Sequence, residues 1–152
     1  MKDFTIREII EYSEKIEQES YLFYTSAANQ VIDPETSALC RTLAEEEVKH
    51  YNRLKALLNE AAIPREEFDA RLSLDVDLHA RKVNTHEVFA DASPARALEI
   101  AYERETNTRD LYRMFLSFTD LNETVIDVFN QLQAQEDGHA ARIKLLMEKL
   151  GQ

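Results

Sequence analysis

Apolar residues recur at three- and four-residue intervals through four long stretches of the chain, the period of a helix with one buried face. The first predicted helix runs from about Phe4 to Val31, with Ile6, Ile10, Ser13, Ser20, Tyr24 and Ala28 along one stripe. Asp33-Pro34-Glu35 then supplies a capping carboxylate, a proline at the first helical position and an acid in the first turn. The second helix follows to about Ala62, with Leu39, Leu43, Leu54, Leu57 and Leu58 inward. Ser93-Pro94 opens a third, which extends to about Thr119 with Leu98, Ala101, Thr108, Tyr112 and Phe115 on its stripe. The fourth spans about Asn122 to Leu150, with Val125, Phe129, Leu132, Ile143 and Leu146 inward.

The first and last connections are only a few residues long, so each joins two helices as an antiparallel hairpin. Between them, residues 63–93 carry short helical signals at Pro64-Arg65-Glu66-Glu67 and Thr85-His86-Glu87, but no long periodic stretch. Such a segment lets the end of the second helix return to the start of a third that runs parallel to it. We therefore read residues 1–152 as one all-α domain, a four-helix bundle of two hairpins joined by a long crossover. The hairpins also repeat one another. An offset of 88 residues lays Ile10, Glu11, Glu17 and Tyr24 on Leu98, Glu99, Glu105 and Tyr112; an offset of 89 lays Glu47, His50 and Leu57 on Glu136, His139 and Leu146.

Composition sharpens this picture. With Gly 2, Pro 3 and Trp 0 in 152 residues, little interrupts long helices. A net charge of −11 disfavours nucleic acid and anionic membranes as partners. The single cysteine, Cys40, excludes a disulfide framework and any Cys-x-x-Cys metal knot, and its place on the second stripe suits a buried small hydrophobe. The start Met1-Lys2-Asp3-Phe4 has no apolar run of signal-peptide length and no segment approaches a membrane span, so a cytoplasmic protein is expected.

Charged residues on the buried stripes call for a different explanation. Glu47-x-x-His50 and Glu136-x-x-His139 each present a carboxylate and an imidazole on one helix face. Both pairs are flanked by apolar residues, Leu43 and Leu54 in one helix and Leu132 and Ile143 in the other. Glu17 and Glu105 lie on their stripes likewise. Buried carboxylates are costly unless paired or metal-bound, and four in one core require a cation. Counting along each helix at about 1.5 Å per residue, all six groups stand roughly 21–23 Å from their hairpin turns, in one layer. Carboxylates with imidazoles suit iron or manganese, and two ions can share bridging carboxylates. One Glu from each of two helices, with Glu-x-x-His from each of the other two, is the ligand pattern of di-iron and di-manganese carboxylate bundles. Glu103, about 200° round the helix from Glu105, falls toward the polar side. Glu45, Glu46 and Asp137 lie off the ligand line and are read as solvated, although one of them could orient a histidine. His79 and His86 fall in the crossover and are read as surface residues.

Across essentially its whole length the chain resembles the rubrerythrin family of the ferritin-like superfamily. The residues that carry the resemblance are Glu17 with Tyr24, Glu47-x-x-His50, Glu105 with Tyr112, and Glu136-x-x-His139. The resemblance implies a ferritin-like bundle holding two iron ions (manganese or mixed occupancy being the alternative). Glu47 and Glu136 would bridge the ions, Glu17 and Glu105 would cap one each, and His50 and His139 would supply one nitrogen per ion. From their places two turns beyond Glu17 and Glu105, Tyr24 and Tyr112 would hydrogen-bond the ligands or donate an electron, the alternative being core packing alone. Two features depart from the family. One cysteine cannot build the four-cysteine rubredoxin site that many members carry. Thr108 stands where many have an additional glutamate one turn after the first, which puts an iron shift in doubt.

The activity implied is reduction of hydrogen peroxide or dioxygen in defence against oxidative stress. Electrons would come from a separate donor, a rubredoxin or a reductase, and a homo-oligomer is expected, a dimer first. A ferritin-type ferroxidase and storage role is the main alternative, weakened because the chain ends at Gly151-Gln152 with no further helix to line a cage pore. An oxygenase acting on an organic substrate is another, and a metal-free structural bundle is the least favoured.

Overall fold

A computed structural model of the chain describes residues 2–74, 93–118 and 121–151. The elements in chain order are strand β1 (Lys2–Thr5), helices α1 (Ile6–Gln30), α2 (Pro34–Leu58) and α3 (Arg65–Phe68), strand β2 (Arg71–Leu74), and helices α4 (Pro94–Leu116) and α5 (Glu123–Leu150). The four long helices form an all-α bundle. α1 packs along α2 and α4 along α5, while α2 faces α5 and α1 faces α4 across the core. Polar contacts give the directions. Tyr24 of α1 meets Glu105 of α4, and Glu17 meets Tyr112, so α1 and α4 are antiparallel. On the opposite side Glu35 pairs with Lys149 and Glu46 with Arg142, so α2 and α5 are antiparallel too. It follows that α2 and α4 run parallel, as the long crossover requires.

Each long helix starts on a side-chain cap that satisfies amide groups the helix leaves unpaired. Asp33 accepts from the Thr36 amide at 2.9 Å and from its hydroxyl at 2.6 Å, with Pro34 in the first helical turn. Ser93 and Asn122 cap α4 and α5. Ser37 Oγ donates to the Ala28 carbonyl at 2.6 Å and ties the α1–α2 hairpin from inside. Among the described residues, no helix is long and apolar enough to cross a membrane.

The ends of the elements depart from the sequence expectation, each for a local reason. Phe4 lies in a strand and not in a helix. Thr5 is the true cap, its hydroxyl accepting from the Glu8 amide while the Glu8 carboxylate accepts from the Thr5 amide, both at 3.1 Å. β1 pairs antiparallel with β2, Phe4 opposite Leu72, so the start of the crossover contains a strand that its sequence did not announce. α2 stops at Leu58 and not near Ala62, because the chain turns back to bury Ile63 and Arg65 Nη1 donates to the freed Leu58 carbonyl at 2.8 Å. α4 ends at Leu116, where Ser117 Oγ donates to the Met114 carbonyl at 2.6 Å. The helical signal after Pro64 is α3, whereas Thr85-His86-Glu87, His79 and His86 lie outside the described residues.

The apolar core falls into two clusters. One lies toward the strand pair and includes Phe4, Ile10, Leu54, Phe68, Phe115, Phe129 and Leu132. The other, toward the α1–α2 turn, includes Phe23, Ala27, Leu43, Leu98 and Ile143. A fully buried Phe or Leu contributes about 1.5–3 kcal/mol, so both halves are well anchored. Along every long helix, the residues that separate the clusters are the buried glutamates and histidines.

Candidate metal centre

Glu17 of α1, Glu47 and His50 of α2, Glu105 of α4, and Glu136 and His139 of α5 meet in this layer, none more than 5% exposed. Their donor atoms form two overlapping groups. Glu17, Glu47, His50 and Glu136 make one, and Glu47, Glu105, Glu136 and His139 the other; within each, the atoms lie within 4.8 Å of one another. Glu47 and Glu136 belong to both. Three-residue spacing on α2 and α5 aims each histidine at the same point as its glutamate. His50 Nδ1 lies 3.1 Å from Glu136 and 3.4 Å from Glu17. His139 Nδ1 lies 3.3 Å from Glu47 and 3.4 Å from Glu105. The two rings are nearly parallel, 5.4 Å apart.

Both tyrosines bind the terminal glutamates, but crosswise. Tyr24 Oη donates to Glu105 at 2.5 Å and Tyr112 Oη to Glu17 at 2.6 Å. Each tyrosine of one hairpin thus holds the glutamate of the other. Burial, then the adjacent carboxylates, push both phenols well above their ordinary range and keep them protonated donors. Burial also works against ionising Glu17, but the adjacent Glu47, His50 and Tyr112 side chains outweigh it and bring the carboxyl down to about 2. Glu105 is lowered the same way, burial being outweighed by Glu136, His139 and Tyr24. Glu47 and Glu136 go the other way, raised by burial and then by the charges of Glu17 and Glu105 respectively. Without cations, then, the site favours charge on Glu17 and Glu105 and disfavours it on Glu47 and Glu136, since like charges this close cannot all be carried.

Several buried ligand-type atoms have no hydrogen-bond partner: both oxygens of Glu47, Glu105 Oε2, Glu136 Oε1 and His139 Nδ1. Leaving one such group unsatisfied costs about 1–3 kcal/mol. Cations between the carboxylates would satisfy all of them, and the donor set fits a di-metal site with two shared carboxylates.

Around this layer the other candidates separate. Glu46 is not simply solvated: it is partly buried, and His139 Nε2 lies 2.6 Å from its Oε2. Nothing in the sequence singled it out from Glu45, which is exposed. Asp137 pairs with Arg109 at 3.0 Å on the surface, and Glu103 is exposed. Cys40 is buried among apolar side chains, its thiol pushed up to about 11 by burial. Thr108 is buried beside the layer.

The fold is a ferritin-like bundle, and the buried carboxylate–histidine cluster at its middle has a donor set that fits a di-metal site. Residues 2–58, which hold Glu17, Glu47 and His50, match the sequence profile of the rubrerythrin family. The fold is similar to that of a ferritin-like diiron-carboxylate protein from Thermotoga maritima, with a TM-score of 0.75 and 16% identity over 97% of each chain. It is also similar to a hypothetical protein from Pyrococcus furiosus, with a TM-score of 0.68 and 22% identity over 95% of this chain and 89% of that one. At these identities the structural likeness is one of fold. None of the curated proteins matches the chain in sequence.

Proposed function

We propose that this protein is a non-haem di-iron oxidoreductase that reduces hydrogen peroxide, or dioxygen, to water with electrons from a separate donor. The observation that carries the reading is the sharing of Glu47 and Glu136 between two adjacent ligand groups. In this reading Glu17 and His50 would complete one metal position, Glu105 and His139 would complete the other, and Glu47 and Glu136 would serve both. Two iron(II) ions in this donor set would supply the two electrons that turn one hydrogen peroxide and two protons into two waters.

The chain's own residues do the rest. Tyr24 and Tyr112 pin the terminal carboxylates and hold protons at their hydroxyls. The apolar clusters on either side exclude water from the layer, and side chains packed this closely favour a small oxidant over a bulky organic substrate. In this reading a separate rubredoxin or reductase returns the electrons. The rubrerythrin match over residues 2–58 supports the same reading. Stopped-flow absorbance of the anaerobically reduced protein tests it: peroxide should react much faster than oxygen, with no mineral accumulating. Faster reaction with oxygen, a mineral core and a large assembly would identify a ferritin-type storage protein instead.

A further inference from the structure

The two hairpins repeat, but the surroundings of the two histidines do not. His139 turns Nδ1 into the ligand layer, and its opposite nitrogen, Nε2, lies 2.6 Å from Glu46 Oε2. The same carboxylate oxygen is braced by Arg142 Nη1 at 3.3 Å. The offset that lays Glu47 on Glu136 and His50 on His139 lays Glu46 on Gln135, an exposed residue without a charge. Among the described residues, the carboxylates near His50 all lie on its Nδ1 side: Glu17, Glu47 and Glu136. Among the described residues, one histidine therefore has an anion behind it and its counterpart does not.

A carboxylate that accepts the outer N–H of a metal-ligating imidazole fixes its tautomer and ring orientation and makes the inner nitrogen a stronger donor. At His139 a proton on Nε2, beside Glu46, would place the lone pair of Nδ1 toward the layer. At His50 no carboxylate among the described residues selects the tautomer in this way, so binding a cation there includes the cost of selecting it.

We propose that Glu46 is a positioning residue for His139 and that it makes the two metal positions unequal, the one at Glu105 and His139 filling first and more tightly. The inference rests on the reading of the layer as a two-metal site.

Anaerobic titration of the chelator-stripped full chain with Co(II), followed by calorimetry and visible absorption, tests both separately. The wild type should take two ions in two resolved steps. His139→Ala should lose the tight step and keep a weak one, and His50→Ala should do the reverse. Glu46→Gln, which keeps the side-chain volume but removes the charge, should weaken the first step by about 10–100-fold and leave the second within about twofold. Glu45→Gln removes the same charge from the neighbouring exposed position and should move neither step. Equal affinities in the wild type, or a Glu46→Gln titration indistinguishable from that of Glu45→Gln, overturns the proposal while leaving the two-metal reading intact. Equal weakening of both steps in Glu46→Gln also overturns it, since that is general electrostatics. A wild type that binds no Co(II) overturns the two-metal reading itself.

Discussion

Replacing Tyr112 with Phe deletes one oxygen from a fully buried place and leaves the ring packing untouched, so its effect isolates a single hydrogen bond. Tyr112 and Glu17 are both 0% exposed, and the 2.6 Å separation of hydroxyl and carboxylate is that of a charge-assisted bond. Such bonds contribute about 1.5–3 kcal/mol, undiminished here by solvent. For a domain of this size that corresponds to a fall in Tm of roughly 3–12 °C. The ring remains against Phe115 and Phe129, so no cavity cost adds to it. The effect should depend on pH with a definite sign. Glu17 titrates at about 2 in the folded chain against 4.5 ordinarily. Its ionised form therefore stabilises the fold fully above 4.5, and that contribution disappears as pH falls through about 2. Urea unfolding of the metal-free protein, wild type against Tyr112→Phe, should show the full difference at pH 7 and a shrinking one below pH 4.5. Tyr21→Phe, at a partly exposed position, should stay within about 0.5 kcal/mol throughout. A Tyr112→Phe cost below about 0.5 kcal/mol at pH 7, or one that does not shrink in acid, would refute the assignment of Tyr112 as the donor holding Glu17 ionised.

Three further outcomes are expected. Glu105→Ala should remove one terminal carboxylate and weaken one metal position, whereas Glu103→Ala, exposed, should leave metal content unchanged and stability within about 0.5 kcal/mol; elemental analysis of both variants decides, and the reverse pattern would mean a helix register wrong by two residues. Gly138→Ala should stabilise by roughly 0.5–1 kcal/mol in urea unfolding, because a Cβ there meets nothing within 4 Å and a mid-helix glycine is entropically costly. Because burial and the neighbouring carboxylates push Glu47 and Glu136 up toward their protonated forms, metal loading should release protons, seen as a buffer-dependent binding enthalpy in calorimetry; an enthalpy independent of buffer would count against it.

What the sequence makes legible is whatever local periodicity carries. Glu47 with His50 and Glu136 with His139 share a face by helix geometry alone, and Glu17 and Glu105 fall on apolar stripes where a solvated acid would not. Asp33-Pro34 and Ser93-Pro94 mark helix starts because their chemistry is local. Thr5-x-x-Glu8 was equally local, yet Phe4 continues the apolar pattern into α1 and obscured the cap. β2 is different in kind: four residues with Leu72 and Leu74 alternating are too few to show a period, and their strand exists through pairing with β1. The crosswise tyrosines and the reach of Glu46 to His139 depend on which helices face one another and how they cross. Spacing along one helix does not contain that information, so Glu46 and Glu45 look alike in sequence and differ only in the fold.

The most direct test of the shared-carboxylate centre is iron per chain after anaerobic iron(II) loading and desalting, compared between the wild type and Glu47→Ala. The wild type should hold about two ions, and because Glu47 lies in both ligand groups, its loss should deplete both positions together. A wild type that retains one ion or none, or a Glu47→Ala variant that loses only one of two, would contradict it.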